Sequence, residues 1–186
     1  MQTQDFAKFV ASQQESGEAE VNGEQVNWAG IRDEWIADLE SLYGRIAEYL
    51  KEFVDRGSIR YEFTEVTLTE ENIGTYAARR MHLHIGRQHI FLEPIGTLLI
   101  ACKGRVDAVG FTGRAQLMLV NKDAHGAADL ISVSVGARVG GSLPLTVTSN
   151  PVNAPEWKIV SRGLPKRFVE LNKENFFDLL TELAGA

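Results

Sequence analysis

Three histidines lie close together in this sequence, at spacings that suit metal binding. His82 and His84 are two positions apart, so on a β-strand their imidazoles project from the same face. If the Gly86-Arg87 pair forms a two-residue turn, His89 lies opposite His84 across a hairpin. Glu93 adds a carboxylate on the second strand. A catalytic zinc site needs three protein ligands and an open position, so His82, His84, His89 and Glu93 are the candidate metal ligands.

A purely structural role is the competing interpretation of these histidines. They alternate with Met81, Leu83 and Ile85, as polar residues do on the solvent face of a half-buried strand. A three-residue turn would move His89 to the other face. Glu93 also follows His84 by nine positions, whereas the cupin metal-binding pattern places its acidic ligand four or five positions after the second histidine. The metal is therefore a hypothesis, and no other cofactor is expected.

Other motifs carry weaker chemical signals. Cys102 precedes Lys103, a cation that could lower its pKa, but a lone strand cysteine usually fills a small apolar space. The glycine-rich residues 136–142 lack the ending of a phosphate-binding P-loop. Six cations in or beside the central hairpins suggest either a surface for an anionic ligand or a solvated face with cross-strand ion pairs, and the second is favoured. They are Arg79, Arg80, Arg87, Lys103, Arg105 and Arg114.

The net charge of −6 is concentrated in the first third of the chain. Residues 1–56 hold 12 acidic and 5 basic residues, a balance of −7, whereas residues 57–186 hold 13 acidic and 14 basic residues, a balance of +1. An acidic protein is a poor candidate for nucleic-acid binding, which needs many phosphate-neutralising cations. A protein partner with a basic surface suits this charge better.

Cysteine content and hydropathy indicate a cytoplasmic protein that does not enter a membrane. Cys102 is the single cysteine, which excludes an internal disulfide. No run approaches the ~20 apolar residues that a membrane-spanning helix needs. The first residues show no basic patch followed by an apolar stretch, so a secretory signal is not expected.

Residues 28–56 show the strongest helical pattern, with Asn27 as N-cap and Gly57 as a left-handed stop. Apolar residues recur at alternating spacings of four and three, which is typical of a coiled-coil seam. In that interpretation the chain is a homodimer and Trp35, Leu42 and Tyr49 meet a second copy. Additional apolar residues widen the stripe, however, and a wide stripe favours packing on a sheet. They are Ile36, Tyr43, Leu50 and Val54.

From Ile59 the hydrophobic period changes to two, as in short antiparallel strands. Turns at Gly86-Arg87, Lys103-Gly104 and Thr112-Gly113 separate strands predicted near 59–64, 78–85, 88–93, 96–102, 105–110 and 114–121. Asn172 then caps a closing helix with a stripe at Phe176, Leu179, Leu180 and Leu183. The sequence predicts one α+β domain over residues 1–186, in which N-terminal helices pack on a mainly antiparallel β-meander followed by a C-terminal helix. Its parts are an N-terminal helix and acidic linker (1–26), a long helix (27–57), the sheet (58–171) and the last helix (172–186). Within the first part the helix is predicted at 3–16, where Phe6, Phe9 and Val10 form one apolar stripe, and the linker at 18–25.

Two functional hypotheses follow. The leading one is a non-enzymatic accessory or adaptor protein of bacterial type that binds another protein, in the manner of an acidic antitoxin or immunity factor. The alternative is a small-ligand-binding protein or metal-dependent enzyme, with a pocket between helix and sheet and the candidate metal ligands at its mouth. Elemental analysis of the purified protein separates the metal-dependent alternative from the first.

Overall fold

The computed structural model describes residues 26–97, 102–135 and 145–185 and confirms the predicted fold class. One long helix, α1 (Trp28–Asp55), precedes an antiparallel sheet, and a second helix, α2 (Lys173–Ala184), closes the chain. The strands are β1 (Ile59–Glu70), β2 (Gly74–Ile85), β3 (Gln88–Gly96), β4 (Gly104–Gly110), β5 (Gly113–Asn121), β6 (Ile131–Val135), β7 (Leu145–Ser149), β8 (Pro155–Val160) and β9 (Phe168–Glu170). A 3₁₀ turn (Ala127–Leu130) precedes β6.

Both helices begin at the predicted caps. The side chain of Asn27 accepts a hydrogen bond from Gly30 N at 2.9 Å, and that of Asn172 accepts one from Asn175 N at 2.9 Å. Each bond satisfies an amide that the first turn of a helix would otherwise leave without a partner. Gly185 ends α2 with a φ of 79°, a left-handed conformation that favours glycine.

Seven strands form the main sheet in the order β1-β2-β3-β4-β5-β8-β9, and β6 pairs with β7 in a separate two-stranded ribbon. Neighbouring strands of the main sheet are antiparallel throughout. Side chains alternate between its two faces. Met81 and Leu83 lie on the face that both helices cover, so His82 and His84 lie on the opposite face, which we call the polar face.

The core lies between the helices and the sheet, as the width of the α1 stripe predicted. Trp35, Leu39, Leu42, Ile46 and Leu50 of α1 are at most 1% exposed and belong to one cluster with the inward side chains of the strands. Four residues of α2 complete this cluster: Phe176, Leu179, Leu180 and Leu183. The apolar stripes of both helices are therefore buried in the core of the fold.

The first hairpin is longer than the sequence pattern indicates. The alternation of Ile59, Tyr61 and Phe63 predicted a strand near 59–64, but β1 continues to Glu70 and its partner β2 begins at Gly74 rather than near 78. Beyond Phe63 the half-buried side chains shift to even positions, at Val66 and Leu68, while the pairing register continues without interruption. That change of phase hides the second half of the strand from a search for period two.

Two further details differ from the sequence prediction, and others fall outside the described residues. Gly110 pairs with Gly113, so the β4–β5 turn consists of Phe111 and Thr112 rather than Thr112 and Gly113. Gly104, predicted in a turn, begins β4. The helix predicted at 3–16, the acidic linker at 18–25, most of the strand predicted at 96–102 and the glycine-rich residues 136–142 lie outside the described residues. No helix within the described ranges is both long and apolar enough to cross a membrane.

Candidate functional site

The β2–β3 hairpin brings three imidazoles together on the polar face. Ile85 pairs with Gln88 and His84 with His89, so Gly86-Arg87 is the two-residue turn that the sequence predicted. The rings of His84 and His89 stack with centroids 4.8 Å apart, and those of His82 and His89 stack at 5.2 Å. The planes differ by only 10° and 6°. His89 therefore lies between two parallel rings, and we call this group the imidazole stack.

Hydrogen bonds tie the imidazole stack to β1. His82 Nδ1 lies 3.0 Å from His89 Nε2, and His82 Nε2 lies 2.8 Å from the Thr64 hydroxyl oxygen. Burial lowers the pKa of His82, and the neighbouring His89 and Arg80 lower it further, which favours the neutral imidazole. His84 Nε2 lies 3.1 Å from Glu62 Oε1, and this hydrogen bond lowers the pKa of the Glu62 carboxyl.

The fourth candidate metal ligand, Glu93, is held away from the histidines. Its Oε1 accepts a hydrogen bond from Arg80 Nη2 at 2.6 Å, and its other oxygen contacts Arg80 Nε. Across the described residues, no group of three or more His, Cys, Asp or Glu side chains is arranged to hold a metal ion. An imidazole binds a metal in its ring plane, and parallel stacked rings do not direct three nitrogens to one point. The site of His82, His84, His89 and Glu93 stays a prediction that requires these side chains to rotate.

Five of the six cations singled out in the sequence form ion pairs with described residues. Arg80 pairs with Glu93, and both Arg105 and Arg114 pair with Asp107, all on the polar face. The other two pair with the first helix, Arg79 with Glu40 and Lys103 with Glu34. These carboxylates offset most of the positive charge, which favours the solvated face with ion pairs over a surface for an anionic ligand.

The outer edge of β1 is the largest unused hydrogen-bonding surface among the described strands. β1 is the first strand of the main sheet, and no described strand pairs with its outer side. Ile85 and Gln88 flank a two-residue turn and exchange hydrogen bonds, so by alternation the odd-numbered residues of β1 direct their N–H and C=O groups away from β2. They are Ile59, Tyr61, Phe63, Glu65, Thr67 and Thr69.

The side chains of β1 include exposed carboxylates and an aromatic ring that packs against α1. β1 contains Arg60, Glu62, Glu65 and Glu70, a balance of −2. Glu62 and Glu65 are exposed. Phe63 is half-buried and packs against Tyr43 of α1 with ring centroids 5.4 Å apart. Natural proteins commonly block a long edge with lysine, proline or a bulge, and β1 has an uninterrupted register of twelve pairs without any of these.

Sequence reasoning missed this edge because it ended β1 at residue 64. A signal was present in the threonines at 64, 67 and 69, since β-branched residues are enriched in strands. The order of strands in the sheet, which makes β1 an edge, was not predictable from periodicity. The edge therefore emerges from topology rather than from a motif.

The three residues predicted to meet a second copy instead make contacts within their own chain. Trp35 and Leu42 are 1% and 0% exposed. Tyr49 is half-buried, and its hydroxyl donates a hydrogen bond to the Leu171 carbonyl oxygen at 3.0 Å. Neither Trp35 nor Leu42 can reach another chain unless the core opens. The structure thus assigns this stripe to packing on the sheet.

The pocket predicted between helix and sheet exists, but the histidines do not line it. A cavity of about 330 Å³ lies between the C-terminal half of α1, the β1–β2 hairpin and α2. Its lining is apolar apart from one threonine: Leu50, Phe53, Ile59, Ile85, Phe177, Leu180, Thr181 and Ala184. The placement of His82, His84, His89 and Glu93 at its mouth is wrong, because these residues lie on the face of the sheet opposite the helices.

The surroundings of Cys102 are those of a buried apolar side chain. It is 7% exposed and packs in a small apolar cluster with Val120 and Ala124. Burial raises the pKa of its thiol, which disfavours the reactive thiolate. Its position fits the apolar filler that the sequence suggested.

Comparison with known proteins adds no functional assignment. The chain matches no protein-family model, no curated protein and no solved structure. The features of the structure that bear on its function are the β1 edge, the imidazole stack and the helix–sheet cavity.

Proposed function

We propose that this protein is a non-enzymatic accessory protein that binds another protein by strand addition to β1. The observation that carries this proposal is the twelve-residue edge with an uninterrupted register and outward-facing backbone groups. An extended partner segment gains affinity by pairing its main chain with such an edge. Side chains beside the edge then select among partners.

The carboxylates on and near β1 favour a partner segment that is basic. Glu62 and Glu65 lie on opposite faces of β1, so an added strand meets an exposed carboxylate on either face. The exposed side of α1 adds Glu48 and Glu52 on the covered side of the sheet. The role resembles that of an acidic antitoxin or immunity factor acting on a basic protein, and a bacterial, cytoplasmic setting stays part of the proposal. A homodimer through the same edge is a competing arrangement.

Replacing Glu65 by proline tests the edge directly. Proline removes an outward N–H and its ring obstructs a neighbouring strand, while the bonds between β1 and β2 are kept because the amide of residue 65 points away from β2. We expect Glu65→Pro to reduce recovery of the partner at least about tenfold, a loss of roughly 1.4 kcal/mol or more in binding. The measurement is quantitative mass spectrometry after tagged pull-down from the native host.

Matched variants separate backbone pairing from charge. Glu65→Ala should retain most binding, and Glu65→Lys should weaken capture of a basic partner. Glu174→Lys makes the same charge change at an exposed position of α2, away from β1, and should have little effect. Equal recovery with Glu65→Pro and the parent would exclude the edge, and failure to recover any partner with the parent would count against protein binding altogether.

The helix–sheet cavity supports a second candidate, the binding of a small neutral apolar ligand. Ligand pockets commonly measure about 300–1,000 Å³ and are mostly apolar. This cavity of about 330 Å³ lies within that range, and its lining contains no charged residue. An uncharged ligand suits it because no lining side chain offers a carboxylate or an amine an ion pair.

Filling the cavity tests this second candidate. Ala184→Leu adds three carbon atoms to the lining and should lower the enhancement of Nile red fluorescence several-fold, since this neutral dye emits strongly only in apolar surroundings. Ala37→Leu makes the same change on the exposed surface of α1 and should leave the emission unchanged. Equal emission from both variants and the parent would remove the cavity from consideration.

A further inference from the structure

One end of the main sheet exposes two large apolar side chains. Phe111, in the β4–β5 turn, is 83% exposed and Leu164, in the β8–β9 loop, is 90% exposed. No other large hydrophobic side chain among the described residues exceeds 48%. Arg162 Nη2 donates a hydrogen bond to the Thr112 carbonyl oxygen at 3.3 Å, which joins the loop to the turn. We call this surface the basic end, because cations surround the two apolar residues.

The charge of the basic end is positive after its ion pairs are counted. Its cations are Arg114, Arg162, Lys166 and Arg167, and three of them line a cavity of about 180 Å³. Asp107 pairs with Arg114 at 3.0 Å and with Arg105 at 2.7 Å, and Glu182 pairs with Arg162 at 2.8 Å. Asp178 lines a neighbouring cavity with Arg162, so five cations face three carboxylates. Among the described residues, Lys166 donates to the carbonyl oxygens of Ser161 and Arg162 and to no carboxylate. An occupant complementary to this surface is apolar and acidic.

The chain itself contains a segment with that complementary chemistry. Residues 1–25, which lie outside the described residues, hold five acidic residues and one lysine, a balance of −4. They also contain Phe6, Phe9 and Val10, the apolar stripe identified in the sequence. The rest of a second copy is a poorer match, since residues 26–186 carry a balance of only −2 over a much longer stretch of chain.

The geometry allows this segment to reach the basic end of its own chain. Lys103 pairs with Glu34 at 3.1 Å, which places the start of α1 beside the start of β4, whereas Phe111 follows the end of β4. The six steps from Gly104 to Gly110 span about 20 Å at roughly 3.3 Å per residue. The nine residues 17–25 can span at most about 30 Å at the same rise. The intervening chain is therefore long enough.

We infer that residues 1–25 bind to the basic end of the same chain, with Phe6 and Phe9 against Phe111 and Leu164 and their carboxylates beside Arg114, Arg162, Lys166 and Arg167. The segment then covers the two most exposed large apolar side chains of the part of the chain that the structure describes. Any acidic, apolar partner of the basic end competes with it. This inference is independent of strand addition at β1.

Trypsin cleavage after Lys8 tests this inference on the full chain, because Lys8 is the only lysine or arginine in residues 1–25. A synthetic peptide of residues 1–25 gives the cleavage rate of the free segment. We expect residues 1–8 to be released from the parent chain at least about tenfold more slowly than from the peptide, because cleavage follows the population of the open form. Mass spectrometry measures the release. Higher salt should reduce this protection by screening the charges.

Variants of the basic end decide where the segment binds. Phe111→Ser combined with Leu164→Ser should bring cleavage to within about twofold of the peptide without changing the melting temperature, because both side chains are exposed. Ile131→Ser, at a half-exposed position elsewhere, is the control and should keep the protection. A parent chain cut as fast as the peptide would overturn the inference. Protection that survives the double variant, or that disappears on dilution, would overturn it as well.

Discussion

Replacing Asp107 by asparagine is expected to lower the free energy of unfolding by about 3 kcal/mol, the lower end of the cost of breaking a buried ion pair. Asp107 is 0% exposed although it lies on the polar face. Its Oδ1 accepts from Arg105 Nε at 2.7 Å, and its Oδ2 accepts from Arg105 Nη2 at 2.9 Å and Arg114 Nη1 at 3.0 Å. Asparagine keeps the shape but turns an amide donor toward guanidinium groups.

The lower end of that range applies because the arginines are not fully buried. The side chain of Arg105 is 25% exposed and that of Arg114 is 59% exposed, so both can regain water when the carboxylate is lost. Chemical denaturation followed by far-ultraviolet circular dichroism measures the loss. Glu40→Gln, which breaks an exposed pair with Arg79, is the control and should cost at most about 1 kcal/mol. Similar losses of unfolding free energy in both variants would show that the buried pairs of Asp107 stabilise the fold no more than an exposed pair does.

The ion pairs around Asp107 illustrate which parts of the polar face the sequence could predict. Arg105 and Asp107 are two positions apart on one strand, so their shared face follows from periodicity alone. Arg114 joins them only because β4 and β5 are antiparallel with Val109 opposite Arg114. The full burial of Asp107 depends on three strands at once. No pattern in a single segment contains that information.

Fold class was predictable because several local signals agreed. The caps at Asn27 and Asn172, the width of the α1 stripe and the change to period two at Ile59 each specified one element. The C-terminal helix was predicted to the residue at its cap. The distal half of the β1–β2 hairpin was missed because its burial changes phase without a bulge. Local patterns thus give the elements, and packing sets their lengths.

The candidate sites depended more on topology than on residue types. The convergence of His82, His84 and His89 followed from a turn length that the glycine at position 86 made predictable. The orientation of the Glu93 side chain could not be predicted from that turn, because its carboxylate forms an ion pair with Arg80 on the neighbouring strand. The edge of β1 and the basic end involve residues far apart in the chain. Both are defined by strand order, which periodicity does not specify.

Gly104→Ala is expected to lower the free energy of unfolding by about 2–3 kcal/mol, through overpacking against Trp35. A Cβ at residue 104 would lie 2.5 Å from Trp35 Cε3 and still closer to Cζ3. The indole cannot move aside, because it is 1% exposed and packs against Trp157 with ring centroids 6.1 Å apart. Gly104 is itself held by its pairing with Leu119. Thermal and chemical denaturation measure the effect.

A double-mutant cycle identifies Trp35 as the cause and tests its assignment to the core. Trp35→Leu alone should cost about 3 kcal/mol by leaving a cavity, and combining it with Gly104→Ala should cost about 1–3 kcal/mol less than the sum, because the clash has gone. Gly44→Ala on the exposed side of α1 meets no atom within 4 Å and should raise stability by about 0.5–1 kcal/mol. If Trp35 instead served a dimer, its replacement would leave the monomer's stability at high dilution unchanged, and the two substitutions would be additive.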